Sequence, residues 1–134
     1  MNADTDQRPQ SPRAVEVQFH SPALAIVALR GEHDLHSWRE VTLALATAGA
    51  RPGVIVDLSQ CSFLDSSMLT TLLVAAKHER ARGGALEVVI PPGARVRRIF
   101  ELMNIQTIMT IHDTLDAGIA AVPASAGDAL EDAA

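Results

Sequence analysis

Cysteine is nearly absent from this chain: Cys61 stands alone among 134 residues. That excludes an internal disulfide framework and suits a reducing compartment. No apolar run reaches the roughly 18 residues of a membrane-spanning helix, and no basic segment followed by an apolar stretch opens the chain. A cytoplasmic protein, neither secreted nor membrane-inserted, is the expectation. Positive charge is scarce as well. The formal net charge is −5, and the one tight basic group is Arg95, Arg97 and Arg98, so direct nucleic-acid binding is not expected. Glycine-rich phosphate loops of both common types are missing, and no nucleophile can be paired with a base, which argues against an enzyme or nucleotide-binding domain. His33, Asp34 and His36 have metal-ligand chemistry, but two histidines and one carboxylate, with no further ligand evident, do not make a metal site. Neither a metal nor a cofactor is expected.

What the chain does have is apolar content, 48% of its residues, enough for one domain with its own core. The polar segments 1–13 and 123–134 read as disordered tails around a domain at 14–122. Val15, Val17 and Phe19 alternate with Glu16, Gln18 and His20, a strand with one wet face, and Ser21-Pro22 turns the chain into a second strand, Leu24 to Leu29. Gly31 breaks that strand. Leu35, Trp38, Val41, Leu45 and Ala48 then recur at helical spacing up to Gly49 and Pro52.

The stretch from Val54 to Leu73 organises the rest. A near-continuous apolar run predicts a strand buried on both faces. A polar turn follows, and Leu69, Leu72, Leu73 and Ala76 form the inward stripe of a helix stopped by Gly83-Gly84. Asp65, Ser66 and Ser67 sit at the start of that helix, where each side chain can accept from the first free N–H groups. A rotation of about 100° per residue turns Ser67, Thr70, Val74 and His78 outward, with Met68 beside them, and makes this face a candidate docking surface. Leu86 to Ile90 is a further strand, Val96 to Met103 a helix, Ile108 to Ile111 a short last strand, and Thr114 to Val122 a last helix. The fold class is α/β: a mixed sheet with an N-terminal β-hairpin, a largely parallel centre and about four helices packed against it. Cys61 reads as a small core residue, and the three arginines as a solvated face.

The strand Val54 to Asp57, the turn Phe63-Leu64-Asp65-Ser66-Ser67, the helix ending before Gly83-Gly84 and the segment Val96 to Met103 together resemble the STAS domain of bacterial anti-sigma factor antagonists. Upstream, Leu29-Arg30-Gly31-Glu32-His33-Asp34 looks like the family's Gly-Glu-Leu-Asp corner, with His33 at the usual apolar position. The resemblance implies that Ser66, the serine directly after the turn aspartate, is the phosphoacceptor, and that Asp34 contacts the partner. Capping offers a plainer account of both, Asp34 with Ser37 at one helix and Asp65 to Ser67 at the other. Asp34, Asp65, Ser67, Met68, Thr70 and Val74 form the expected partner-binding set. Where the family pattern after the paired serines is Gly-Leu-Gly, this chain has Met68-Leu69-Thr70, which bears on how closely a partner approaches.

The resemblance further implies an anti-anti-sigma factor working by partner switching. Unmodified, such a protein binds an anti-sigma factor that is also a serine kinase of the histidine-kinase-like ATPase type, and so frees a sigma factor for transcription. Phosphorylation turns binding off, and a PP2C-like, metal-dependent serine phosphatase restores it. The protein is then a substrate and not an enzyme. A phosphate at Ser66 brings a charge of about −1.5 to −2, which a helix N-terminus tolerates but a packed partner does not. The alternative is a non-phosphorylated STAS scaffold or accessory module in a sensor or transport assembly, a reading that Met68 and Thr70 favour.

Overall fold

Leu24–Leu29 is apolar without a break because the strand it forms lies inside a sheet covered on both faces. In the computed structural model, which describes residues 14–122, the strands are β1 (Val15–Ser21), β2 (Leu24–Leu29), β3 (Gly31–His33), β4 (Gly53–Asp57), β5 (Cys61–Leu64), β6 (Ala85–Val89) and β7 (Ile111–His112). The helices are α1 (Trp38–Ala48), α2 (Ser66–Ala81), α3 (Arg95–Leu102) and α4 (115–122). Five strands form the main sheet in the order β1-β2-β4-β6-β7. The β1–β2 hairpin is antiparallel and all other pairs in this sheet are parallel. This is the mixed α/β architecture expected from the pattern. The tails expected at 1–13 and 123–134 lie outside the described residues.

Alternation along the central strands divides the core. Ala25, Val27, Leu29, Val54, Val56, Leu86 and Val88 belong to the larger cluster, which α1, α2 and α3 complete with Val41, Leu45, Leu69, Leu72, Val96 and Phe100. Leu24, Ile26, Ile55 and Val89 point the other way, onto α4 through Leu115, Ile119 and Val122. Full burial of each of these side chains contributes about 1.5–3 kcal/mol. Glu16 and Gln18 leave the same outer face of β1 wet.

Three local expectations are corrected. Leu35 and Trp38 are not on the inward stripe of α1: Leu35 lies in a 3-10 turn, Leu35–Ser37, and is 70% exposed, while Trp38 is 45% exposed. The tighter 3-10 turn rotates Leu35 out of phase with the α-helix, whose buried residues are Val41, Ala44, Leu45 and Ala48, and Trp38 opens that helix at the rim of the groove between it and the following helix. The last strand starts at Ile111 rather than Ile108, because Ile105–Thr107 forms another 3-10 turn and Ile108 N–H closes onto Ile105. The segment before α2 is not only a turn, since Cys61–Leu64 is a strand.

The stop of α2 is set by backbone. Gly83 takes φ 84°, its N–H donates to Arg80 O at 3.0 Å, and Gly84 N–H donates to Glu79 O at 2.8 Å, the paired bonds of a Schellman ending. A Cβ on Gly84 would press into the Pro52 carbonyl oxygen, itself held by the Ala85 N–H at the start of β6. Gly84→Ala should therefore lower stability by about 2 kcal/mol, read as a drop in the urea midpoint at unchanged m-value.

Candidate functional site

Gly31, at φ 80°, turns the chain out of the main sheet after β2. Gly31, Glu32 and His33 pair in parallel with β5, His33 opposite Leu64, and the Asp65 N–H donates to the His33 carbonyl at 3.2 Å. Asp34 and Asp65 each follow a paired residue, so the two corners meet. The sequence placed Asp65 after the central strand, at the end of a polar turn. In the structure β4 ends at Asp57, and β5 carries the chain sideways before α2 begins.

Asp65 caps α2. Its backbone is extended (φ −87°, ψ 176°), and its Oδ1 accepts from the Ser67 hydroxyl at 2.7 Å and the Met68 N–H at 3.0 Å. These two bonds, with lesser help from the Ser67 and Leu35 N–H groups, hold its carboxyl below the usual carboxylate range. The bond that joins the two corners is the one from the Asp65 N–H to the His33 carbonyl. Asp34 caps the 3-10 turn, accepting from the His36 N–H at 2.9 Å, and does not cap α1. Ser37 occupies the cap position of α1 without a side-chain cap bond. Its hydroxyl donates to Asp34 O at 3.2 Å and lies 3.0 Å from His33 Nδ1, while His33 Nε2 pairs with Arg30 O at 2.9 Å. His33 is thus a buried, doubly hydrogen-bonded strut beneath the corner.

The adjacent serines differ. Ser66, the first residue of α2, is exposed, and its hydroxyl makes no hydrogen bond among the described residues. Ser67 is half-buried with its hydroxyl committed to Asp65. Thr70, Val74 and His78 are exposed along α2. Met68 is not: it is fully buried within the larger core cluster. Partner binding through Met68 is corrected on this ground, because the third helical position turns back over the sheet and its long side chain fills core space that a glycine would leave empty.

A family model described as "Mlab, STAS domain" matches residues 17–111. The chain belongs to the STAS domain family. Among solved structures, an anti-sigma factor antagonist from Mycobacterium paratuberculosis is similar at 26% identity and TM-score 0.71, over 85% of this chain and 96% of that one. The anti-sigma factor antagonist SpoIIAA in its unphosphorylated form shares the fold at 23% identity and TM-score 0.67, over 79% of this chain and 93% of its own. The Bacillus cell fate determinant SpoIIAA in the phosphorylated form does so at 23% identity and TM-score 0.63, over 80% and 97%.

Other features of this STAS domain escaped the sequence reading. Phe63 and Leu35, both exposed, add apolar surface on the strand and turn beside the two corners. Glu79 is buried; its spacing of three from Ala76 and seven from Leu72 had put a carboxylate on the inward stripe. Arg97 is no freely solvated cation, since it donates to Asp113 Oδ1 at 2.6 Å and to Ile90 O at 2.7 Å. Cys61 is buried, and burial pushes its thiol pKa up. Among the described residues, no three His, Cys, Asp or Glu side chains are grouped to hold a metal ion, and no helix is long and apolar enough to cross a membrane.

The Asp65 cap has a pH signature. With the folded carboxyl titrating below its unfolded value of about 3.9, its contribution to stability is complete above that value and is lost as pH falls through the folded value. Asp65→Asn should remove this part of the acid limb and leave the pH dependence above about 5 unchanged, as measured by urea unfolding at a series of pH values.

Proposed function

We propose that this STAS domain is a bacterial, cytoplasmic anti-sigma factor antagonist that binds an anti-sigma factor kinase through the face carrying Asp34, Asp65, Ser66, Thr70 and Val74. Phosphorylation of Ser66 releases the partner, and a PP2C-like phosphatase resets the switch. The observation that carries the reading is the contrast between the two serines: Ser66 presents a free, exposed hydroxyl at the positive end of a 16-residue helix, and the Ser67 hydroxyl is held by Asp65. A kinase needs a hydroxyl it can reach and orient. The likeness to anti-sigma factor antagonists supports the general role.

The energetics of the switch follow from position. A phosphate on Ser66 projects into solvent at the N-terminus of α2, where the helix dipole favours negative charge, so the domain stays folded. A partner packed over the same spot would have to desolvate a dianion without a counter-charge. Release is then a local effect, with no conformational change to transmit.

A second reading, a scaffold without a phosphorylation cycle, draws on Thr70. It stands four residues from Ser66, on the same helix face and exposed, where a branched side chain keeps another backbone at a distance.

Incubation with the candidate kinase and ATP, followed by intact-mass analysis, separates the two. Wild type and Ser67→Ala should gain one phosphate and Ser66→Ala none, and Ser66→Asp should weaken kinase binding by at least about 100-fold with its thermal unfolding unaltered. Unmodified protein with every candidate kinase tried would transfer the argument to the scaffold.

A further inference from the structure

An open groove of about 500 Å³ runs between α1 and α2. Trp38, Leu45 and Val74 give it apolar walls, and its volume is that of a small-molecule site. Two polar features interrupt the walls. Thr42 lines the groove, and its hydroxyl is buried without a hydrogen-bond partner among the described residues. A helical threonine can bond the carbonyl four residues back, as Thr47 does with Leu43 at 2.9 Å; Thr42 does not. The second feature is Glu79, only 6% exposed, whose one ion-pair partner among the described residues is Arg82 Nη1 at 3.5 Å. That is long beside the roughly 2.7–2.9 Å of a charge-assisted hydrogen bond.

The end of the groove at Glu79 sets a buried carboxylate beside the more exposed Arg82 guanidinium. Burial raises the carboxyl pKa of Glu79, opposed by Arg82 and His78, so the charge is under-compensated where it stands. Gly49 and Arg82, the residues that end α1 and α2, line the same groove, and each helix adds the partial negative charge of its C-terminus. Arg82 cannot move fully onto Glu79, because its Nη2 donates to Gly49 O at 3.1 Å. A neutral hydrocarbon would leave the carboxylate as it is, and an anion set against Glu79 would be repelled by it.

We propose that this groove binds a small apolar molecule bearing a primary ammonium group, its alkyl body against Leu45 and Val74 and its ammonium donating to Glu79. This groove does not include Ser66, but it shares Thr70 and Val74 with the face proposed to dock a partner.

Trp38 is the sole tryptophan and the chain has no tyrosine, so intrinsic emission reports on this groove. The experiment is titration of the full chain with hexylamine, 1-hexanol and hexanoate at about pH 8, where an alkylamine is charged as a lysine is. Hexylamine should give a saturable change in Trp38 emission at least about tenfold tighter than hexanol, and hexanoate none. Glu79→Gln should abolish the preference for amine over alcohol, and Ala46→Phe, at an exposed position on the groove wall, should abolish the response to both. Equal affinity for amine and alcohol in the wild type, or an amine preference that survives Glu79→Gln, overturns the proposal. So does Trp38 emission that follows protein concentration alone together with a dimer in sedimentation equilibrium, which makes a second copy the occupant.

Discussion

The short parallel pairing of Gly31–His33 with Cys61–Leu64 is the constraint on which the candidate site depends. Neither strand is long enough to stand alone, and each is anchored by what flanks it: β3 by the end of β2, β5 by the start of α2. Their union places two chain corners, 31 residues apart in sequence, within one hydrogen-bond network. Asp65 is the centre of that network, its carboxylate taking donors from α2 and its N–H donating to His33 O. Beneath it His33 joins Arg30 O to Ser37, a rigid polar strut at a position where the family pattern has an apolar side chain.

The same network explains how two neighbouring serines acquire different chemistry. Both could cap the helix on sequence grounds, yet Asp65 performs the capping, and geometry sends the Ser67 hydroxyl to it. Ser66 is left over at the first helical position, pointing to solvent. A modification there meets the helix dipole and little else, which suits a switch that acts on a partner rather than on the fold.

Placement of the domain in the STAS family rests on the match over residues 17–111, and the similar structures share a mixed sheet of this kind. What distinguishes this chain lies along α2. Met68 has been absorbed by the core, Thr70 and Val74 stand outward, and Glu79 closes the inward stripe with a carboxylate. The inward and outward faces of one helix thus serve three purposes: packing on the sheet, presenting a surface beside Ser66, and lining a groove with α1.

The main sheet and the helices on it were legible in the sequence because period-2 and period-3.6 patterns report burial directly. Continuous apolar runs marked β2 and β4, alternation marked β1, and Gly83-Gly84 marked the end of α2. The cap aspartate and both serines were likewise identifiable, since capping is local chemistry. Capping chemistry did not distinguish Ser66 from Ser67, and it was the resemblance that singled out Ser66; nor was the pairing of β3 with β5 visible, because three- and four-residue strands carry no readable period and their pairing is a long-range event. The burial of Met68 and the exposure of Leu35 and Trp38 were decided by tertiary structure alone. Each depends on which way an element is rotated against its neighbours, and that rotation is settled by packing across the sheet rather than by the residues of the element itself.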